Sequence, residues 1–235
     1  MKKLVLLPIL LFLLSIVGCA TFSPGEFYDS WTDAHNIDGV LLLQEGAEPT
    51  IRSSSDITND FYEIRSNHYI CIGDTSWNGP EADYSELMYA IKQQCLQNGA
   101  TLAVYNKSYT DTRSGISSYR GNVYSYNIRR YDYSVYYFVR FTYILKLGIS
   151  FQDLTNETRQ RVGRNTGVFV NIVYKDTSAY AANIVMGDVI IKINDTSINN
   201  SDDLYNFLGN ANDGDLVKID ILRNGDIRTI ELNLD

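Results

Sequence analysis

Few side chains in this sequence could carry catalysis. Nucleophilic catalysis needs a nucleophile, a base that activates it and a third group that orients the base. The chain contains two histidines, His35 and His68, and no Gly-x-Ser-x-Gly element. His35 lies in an irregular segment and His68 just before the first strand pattern, so neither is placed beside a nucleophile. We therefore predict no catalytic residues, although spacing alone leaves a carboxylate-based or metal-based site open.

Three cysteines, Cys19, Cys71 and Cys95, could bind a metal or form a disulfide. Cys19 stands apart near the N-terminus, and the two remaining thiols are too few ligands for a structural zinc ion. The histidines lack metal-binding spacing as well, so the sequence predicts no metal and no cofactor. Cys71 and Cys95 form a possible disulfide, but burial as small hydrophobic residues is the commoner fate of such cysteines. Both interpretations stay open.

Cys19 follows a segment with the pattern of an export signal. Lys2-Lys3 gives a basic start, and residues 4–17 form an apolar run that is too short to span a bilayer as a permanent helix. Ile16-Val17-Gly18-Cys19 resembles the bacterial lipobox, whose cysteine thiol is diacylated before cleavage. The resemblance implies a signal peptide over residues 1–18 and a lipid anchor at Cys19. An ordinary secretory signal with an incidental cysteine is the alternative.

The charge balance argues against nucleic acid as a partner. The chain has 20 basic and 28 acidic residues, and cleavage after residue 18 would leave 18 basic residues and a net charge of −10. Such a body is repelled by nucleic acid and by anionic lipid surfaces alike, so the lipid at Cys19 must provide the membrane attachment. Ala20 after the cysteine resembles the pattern of outer-membrane sorting. The sequence therefore predicts a lipid-anchored protein of the cell envelope, at the outer membrane.

The length of the mature chain suits two small domains better than one. Residues 19–60 contain Ser53-Ser54-Ser55 and scattered Asp, Asn and Gly, which predicts a lipidated N-terminus and a spacer. Residues 61–145 are predicted as an α+β domain of unknown role, and residues 146–235 as a second domain. Because no Gly-, Pro- or Ser-rich linker joins the two domains, a fixed orientation between them is predicted.

The first domain should contain strand, helix and strand, followed by a long tyrosine-rich strand. Residues 69–72 form a short apolar run typical of a buried strand, and Asp83 can cap a helix that Gly99 ends. Residues 100–105 return as a strand. From residue 131 to residue 145, apolar and polar side chains alternate, which predicts a strand with one buried face.

The many tyrosines of this strand allow two interpretations. They could form a stacking or carbohydrate-binding platform, but tyrosine is also a good strand former that buries its ring in a core. The alternation favours burial for most of the rings. Tyr136 and Phe138 fall on the other face, so a small exposed aromatic patch is the alternative.

The second domain carries motifs whose order is informative. Leu147-Gly148-Ile149 is followed by Gly167-Val168-Phe169-Val170, by Gly187-Asp188-Val189-Ile190 and by Ile193-Asn194. This order resembles a PDZ domain of the type found in periplasmic trypsin-like (high-temperature-requirement) serine proteases, without the protease domain. The first domain is similar to a module found with such domains in bacterial PDZ-domain-containing lipoproteins, which implies no activity.

The periodicity of the second domain agrees with that resemblance. Apolar alternation predicts four strands, at residues 168–173, 189–193, 217–222 and 227–234. Asn224-Gly225 predicts a tight hairpin between the last two strands. Ser201 can cap a helix that Gly209 stops. The predicted fold is α+β, with a PDZ-like partial β-barrel and a flanking helix in the second domain.

The resemblance implies that a peptide binds as an added strand between the strand edge and the helix. Mapped onto this sequence, the implied carboxylate loop is formed by Leu147, Gly148 and Ile149. The implied strand edge is formed by Ser150 and Phe151, and the implied apolar pocket by Leu204, Phe207 and Leu208. The alternative is that the three helix residues face the core. Arg159, Arg161 and Arg164 could attract an acidic ligand, but a solvated helical turn also explains them.

Two non-enzymatic functions follow from this site. In the first, the domain binds C-terminal or extended segments of partner proteins as an adaptor or regulator at the membrane. In the second, the PDZ-like fold is a structural module whose groove is occluded. Gly148 should be essential for the first function, because a side chain there would block close approach of the ligand backbone.

Overall fold

The computed structural model describes residues 27–235, so the predicted signal peptide and the lipidation site Cys19 lie outside the described residues. Within residues 27–235, no helix has the length and apolar character needed to cross a membrane. The described chain forms two units, each built on its own β-sheet. Mixed strands and helices in both units confirm the predicted α+β class.

The first unit is a six-stranded sheet with a helix on each face. Its strand order is β1-β4-β6-β5-β3, with β2 added beside β6, and only the β3–β5 pair is parallel. The elements are β1 (Tyr28–Ser30), a short 3-10 helix (Ala34–Asn36), β2 (Val40–Leu41), β3 (Thr50–Ser53), α1 (Ile57–Ser66), β4 (Tyr69–Pro80), α2 (Tyr84–Asn98), β5 (Leu102–Tyr119) and β6 (Asn122–Phe141).

Helix α2 has the ends that the sequence predicts. The Asp83 carboxylate accepts hydrogen bonds from the backbone N–H groups of Ser85 and Glu86, which would otherwise lack partners at a helix start. Gly99 follows the last turn with a φ of 78°, a left-handed conformation that glycine adopts without strain. The apolar stripe of α2, which includes Ile91, packs on one face of the sheet against Tyr133 and Tyr137.

Helix α1 covers the opposite face of the sheet. Asp56 caps its first turn by accepting from the N–H of Asn59. Phe61 and Ile64 then pack against Phe138, with 5.4 Å between the ring centroids of Phe61 and Phe138. Phe138 is completely buried as a result. The alternative of an exposed aromatic patch that includes Phe138 is therefore wrong, because α1 covers that face.

The predicted spacer over residues 19–60 is wrong from residue 28 onward. Strands β1, β2 and β3 and the start of α1 all fall in this range. Trp31 is held on the sheet by a hydrogen bond of 3.0 Å from its indole Nε1–H to the Asp74 carboxylate. The three strands are two to four residues long, which is too short to show an alternation of side chains in the sequence.

The disulfide between Cys71 and Cys95 does not form. Both cysteines are buried free thiols, and they pack on opposite faces of the sheet, Cys71 under α1 and Cys95 within α2 on the other side. Burial raises the pKa of each thiol to about 12, so both stay protonated and unreactive at neutral pH. Among the described residues, no three His, Cys, Asp or Glu side chains are grouped so that they could hold a metal ion.

The second unit is an open sheet with helices beside it. Its strand order is β12-β11-β9-β8-β7, with the short β10 beside β9, so β7 and β12 are the edges of an unclosed barrel. The elements are β7 (Ile149–Asp153), α3 (Asn156–Val162), β8 (Val168–Val173), α4 (Ser178–Ala181), β9 (Val189–Ile193), β10 (Thr196–Ser197), α5 (Ser201–Asn210), β11 (Leu216–Arg223) and β12 (Asp226–Asn233).

The two units meet through a small apolar cluster. Phe141 from the first unit packs with Ile172 and Tyr174 from the second. The ring of His68 stacks on Tyr174, with 5.5 Å between the ring centroids. Its Nε2 lies 2.8 Å from the backbone carbonyl oxygen of Lys175. Because a carbonyl can only accept, Nε2 carries the proton and donates. These contacts support the fixed orientation that the short connection predicts.

Candidate functional site

The candidate site is the space between strand β7 and helix α5, which is called the groove below. One side of β7 pairs with β8, and within the described residues no strand pairs with its other side. Helix α5 runs beside that free side. Across the groove, the rings of Phe151 and Tyr205 lie 4.8 Å apart at an angle of 49°. An edge strand with unpaired backbone groups is a template for an added strand.

Local sequence explains why α5 forms here. The side chain of Asn200 accepts from the N–H of Asp203 at 3.0 Å and so caps the helix, one residue before the predicted cap Ser201. Asp202 and Asp203 lie in the first turn, where negative charge is favourable. The helix ends at Asn210, one residue past the predicted stop at Gly209. This small shift leaves the predicted helix in place beside β7.

Hydrogen bonds hold α5 against β7 at both ends of the groove. At one end, the Asp153 carboxylate accepts from the backbone N–H of Ser201 at 2.6 Å, and this bond lowers the pKa of Asp153. At the other end, the Lys146 ammonium donates to the carbonyls of Leu208 and Ala211, at 3.1 and 2.6 Å, at the C-terminus of α5. The groove is therefore fixed in width at both ends, and the Phe151 and Tyr205 rings bridge its middle.

The loop before β7 requires glycine for a reason that the sequence did not show. Gly148 has a φ of +66°, and a Cβ atom there would lie 2.3 Å from both Cβ and Oγ1 of Thr177. The Gly148 N–H donates to the carbonyl of Leu145 at 2.7 Å. The predicted reason, room for a ligand backbone, needs correction: the side chain of Thr177 already fills that space.

The predicted site residues divide into two groups. Leu147, Ile149 and Leu204 are almost completely buried in the core of the second unit, so their side chains do not line the groove. For Leu204, this confirms the alternative that the helix stripe faces the core. Ser150, Phe151 and Leu208 are only partly buried and stay accessible beside the groove. Phe207 is partly buried as well, but it lines a cavity on the other side of α5, with Leu216 and Val217, so its predicted place in the pocket needs correction.

Sequence reasoning missed two residues of the groove. Tyr205 is 62% exposed and reaches across to Phe151. A signal was present, because Tyr205 lies three residues before Leu208 and so on the same side of the helix. In the sequence Lys146 marks only the predicted boundary of the domain, yet it anchors the end of α5. No periodicity in the sequence marks such a side chain-to-backbone contact.

The Gly-Asp-Val-Ile motif serves the fold rather than the groove. Asp188 is completely buried and accepts two hydrogen bonds from Arg223, at 2.6 and 2.7 Å. It also accepts from the N–H of Val185 at 2.9 Å, while Arg223 donates to the carbonyl of Asn183 at 2.8 Å. The Asp188 carboxylate raises the pKa of Arg223. This pair fixes the turn before β9 and thereby the strand next to β8.

The three arginines near β7 make local contacts. Arg164 donates from Nε to the carbonyl of Thr166 at 2.8 Å, and the guanidinium of Arg161 lies 5.3 Å from the ring centroid of Phe169. Arg159 lies in α3 and is exposed. These contacts favour a solvated helical turn over an anion site for the ligand.

Residues 146–234 match a family model described as the PDZ domain. Two relatives are each described as a probable DegP-like periplasmic serine endoprotease. The protein of Marinomonas sp. (strain MWYL1) is 31% identical over 91 residues, which is 38% of this chain and 19% of the relative. The protein of Rickettsia prowazekii (strain Madrid E) is 35% identical over 89 residues, which is 37% of this chain and 17% of the relative. The chain thus spans about a fifth of the length of these relatives.

Solved structures that resemble the chain include the PDZ domain of HtrA3 bound to a phage-derived ligand. That domain is 18% identical, with a TM-score of 0.34, and the match covers 38% of this chain and 83% of that chain. The HtrA-type protease AlgW with a decapeptide is 21% identical, with a TM-score of 0.35, and the match covers 52% of this chain and 41% of that chain.

Proposed function

We propose that this protein, whose residues 146–234 form a PDZ domain similar to those of DegP-like periplasmic proteases, is an envelope lipoprotein that captures peptide segments of other proteins. A C-terminal or extended segment adds as a strand to β7 and lies under α5. The protein then acts as an adaptor or regulator and not as an enzyme, because the similarity concerns a domain that binds rather than cleaves.

One observation carries this proposal: β7 is an edge strand whose unpaired side faces a helix with accessible apolar side chains. Added main-chain hydrogen bonds give affinity in this mode, and pockets for alternate side chains give specificity. Phe151, Tyr205 and Leu208 are the side chains that would contact the ligand. For a peptide to enter the groove, the Tyr205 ring must turn away from Phe151. This movement is a rotamer change of one exposed side chain.

A second candidate is a structural module with a closed groove. The bonds from Ser201 to Asp153 and from Lys146 to the end of α5 hold the helix against the strand. If the Phe151–Tyr205 contact stayed closed in solution, the edge of β7 would be covered by its own helix. This state would protect the edge from unwanted pairing.

The proposed location is the bacterial envelope, with the chain lipidated at Cys19 and held at the outer membrane. The lipobox-like residues before Cys19 and the periplasmic relatives support it. Metabolic labelling of cells with a palmitate analogue is the direct test of the anchor. The wild-type chain is expected to take up label and the Cys19→Ala variant is not; equal labelling of both would contradict the anchor.

The test of peptide capture uses the chain from residue 20 to residue 235. This chain contains both sheets and all the hydrophobic clusters of the described residues, so it keeps the fold. It is titrated with a library of peptides that carry free C-termini, in parallel with Tyr205→Glu and Tyr89→Glu variants. Both tyrosines are exposed on helices, Tyr205 at 62% and Tyr89 at 65%. Tyr89 lies on α2 in the first unit, whereas the groove belongs to the second unit.

Saturable binding by the wild type should weaken about tenfold or more in Tyr205→Glu, because the variant loses a ring contact and repels a terminal carboxylate. Tyr89→Glu should bind like the wild type. No binding by a folded wild type would select the closed-groove module. Equal binding by all three chains would place the peptide outside the groove.

A further inference from the structure

The hairpin of β5 and β6 extends well beyond the sheet of the first unit. Strand β4 pairs with β6 only up to the contact of Pro80 with Arg130, whereas β5 and β6 pair with each other as far as Tyr119 and Asn122. Residues 112–129, called the arm below, therefore form a two-stranded ribbon. None of them belongs to a hydrophobic cluster of the described residues.

The arm carries exposed aromatic and aliphatic side chains. Residues that pair directly across an antiparallel ribbon share a face, which places the side chains of Tyr119, Tyr124, Tyr126 and Ile128 together. Their exposed fractions run from 39% to 64%. Gly115 lies opposite Tyr126, and a Cβ there would come within 2.4 Å of the Tyr126 hydroxyl, so this ring lies across the partner strand.

The charge of the arm is opposite to that of the chain. The arm contains Arg113, Arg120 and Arg129 and no acidic residue, while the chain as a whole has a net charge of −8. The Arg120 guanidinium lies 5.3 Å from the ring centroid of Tyr119, at the turn of the hairpin. The Arg113 side chain is 64% exposed and forms an ion pair of 3.6 Å with Asp111, which lies just outside the arm. Aromatic rings and arginines therefore occur together on one projecting element.

The tyrosines and arginines of the arm together indicate which kind of surface could cover it. A two-stranded ribbon by itself is only marginally stable in water, so a partner surface would stabilise it. Pairing with the arm of a second copy would bring like charges together, which is unfavourable. Tyrosine rings sit well at the level of lipid head groups, and arginine forms paired hydrogen bonds with phosphate. An anionic phospholipid surface satisfies both features.

We propose that the arm is a docking surface for anionic phospholipid head groups. The tyrosine face lies in the head-group layer. Arg113, which is paired with Ile128 on that face, and Arg120 at the turn contact lipid phosphates, while Arg129 lies on the opposite face and adds to the positive charge of the arm. The inference goes beyond peptide capture and does not depend on acylation of Cys19. It adds a local exception to the whole-chain argument that an acidic body is repelled by anionic lipid.

The geometry gives this contact a consequence for the groove. Strand β6 runs from the turn of the arm at Asn122 to Phe141, which packs against the second unit. At about 3.3 Å per residue, its 20 residues span roughly 65 Å. Docking of the arm would therefore hold the second unit far from the site of lipid contact, where the groove can reach a partner protein.

The experiment measures sedimentation of residues 20–235 with vesicles of equal parts phosphatidylglycerol and phosphatidylethanolamine, and with vesicles of phosphatidylcholine alone. One variant changes Arg113, Arg120 and Arg129 to glutamine. The matched control changes three exposed arginines outside the arm, Arg52, Arg159 and Arg228, to glutamine. A further variant replaces residues 112–129 by Asn-Gly, which can join the directly opposed Asp111 and Arg130 as a tight turn.

Wild type and control should bind the anionic vesicles and not the neutral ones, with affinity that falls at high salt. The arm triple variant should bind at least about tenfold more weakly, since one arginine near an anionic surface contributes about fivefold. The Asn-Gly variant, shown to be folded by circular dichroism, should not bind. Equal binding by arm and control variants, binding to neutral vesicles, or dimerisation through the arm would overturn the proposal. Because no peptide is present, this result is independent of the groove.

Discussion

The groove and the arm both present tyrosine to solvent, but they do so on different supports. Tyr205 stands on a helix that is bonded at its start to the strand it faces, by Ser201 to Asp153, and at its end to the segment before that strand, by Leu208 and Ala211 to Lys146. The tyrosines of the arm stand on a ribbon that touches no hydrophobic cluster of the described residues. The groove has a defined width and an edge strand, whereas the arm offers the open face of a two-stranded ribbon.

This difference indicates what each surface can recognise. A groove of fixed width beside a free strand edge suits one extended segment, and main-chain bonding sets its direction. A projecting ribbon with three arginines and no acidic residue suits a surface of repeated negative charge. Shape should therefore dominate recognition in the groove, and charge should dominate it on the arm.

The largest effect is expected where the second unit depends on a buried ion pair. Asp188→Ala leaves Arg223 and the N–H of Val185 without their carboxylate, which should lower the free energy of unfolding by about 3–5 kcal/mol. Urea unfolding of residues 20–235 measures the change. Asp195→Ala, at a fully exposed carboxylate, is the control and should change little. A loss below about 1 kcal/mol for Asp188→Ala would contradict the role given to this pair.

The next effect compares the glycine of the groove loop with the glycine of the arm turn. Gly148 and Gly121 both have positive φ, at +66° and +80°, but only Gly148 is crowded, by Thr177. Alanine at either position should lower the free energy of unfolding by about 1–2 kcal/mol, because the left-handed backbone conformation is unfavourable for a residue with a side chain. Gly148→Ala should lower it by about 1–3 kcal/mol more, because the new Cβ atom clashes with Thr177. Thermal unfolding measures both. Equal decreases in stability for the two variants would show that the Thr177 side chain moves aside without an energetic penalty.

Replacement of the arm by Asn-Gly should scarcely affect the stability of the rest of the chain. The arm adds no side chain to the clusters that stabilise the two units, so the free energy of unfolding should change by less than about 0.5 kcal/mol. Urea unfolding gives the value. A loss of about 2 kcal/mol or more would mean that the arm supports the sheet and is not a separate surface.

The smallest effect is a response of the groove to acid that the arm should not share. The N–H of Ser201 lowers the pKa of Asp153 below its ordinary value of 3.8. The stabilisation from this bond is therefore complete above that ordinary pKa and is lost as pH falls through the lowered one. Amide exchange of Ser201, corrected for the intrinsic effect of pH, should become faster in that range. The amides of the arm, which has no carboxylate, should show no such change; a parallel change in both regions would indicate general acid unfolding instead.

Much of the second unit could be predicted because its signals are local. The Asn224-Gly225 hairpin has positive φ at both residues, and β8 and β9 begin and end at the predicted residues. The cap at Asp83 and the stop at Gly99 were likewise visible around α2. Each depends on a few neighbouring residues, so the pattern in the sequence is sufficient.

The first unit and the middle of the groove were less predictable because their contacts are distant. Strand β3 pairs in parallel with β5, about fifty residues later, and three strands are too short to show periodicity. Helix α1 was missed although Asp56, Phe61 and Ile64 carry a cap and a stripe. The arm was missed because alternation was recognised only from residue 131, where a helix buries one face. Burial of Leu204 and exposure of Tyr205 depend on how α5 packs, which spacing alone does not decide.

The central claim is that a peptide adds as a strand to β7, and amide exchange of residues 149–153 with and without bound peptide tests it most directly. The account predicts that peptide binding slows exchange at amides of β7, with the amides of the arm unchanged. Saturable binding that leaves exchange in β7 unchanged would contradict it and would place the ligand elsewhere on the molecule.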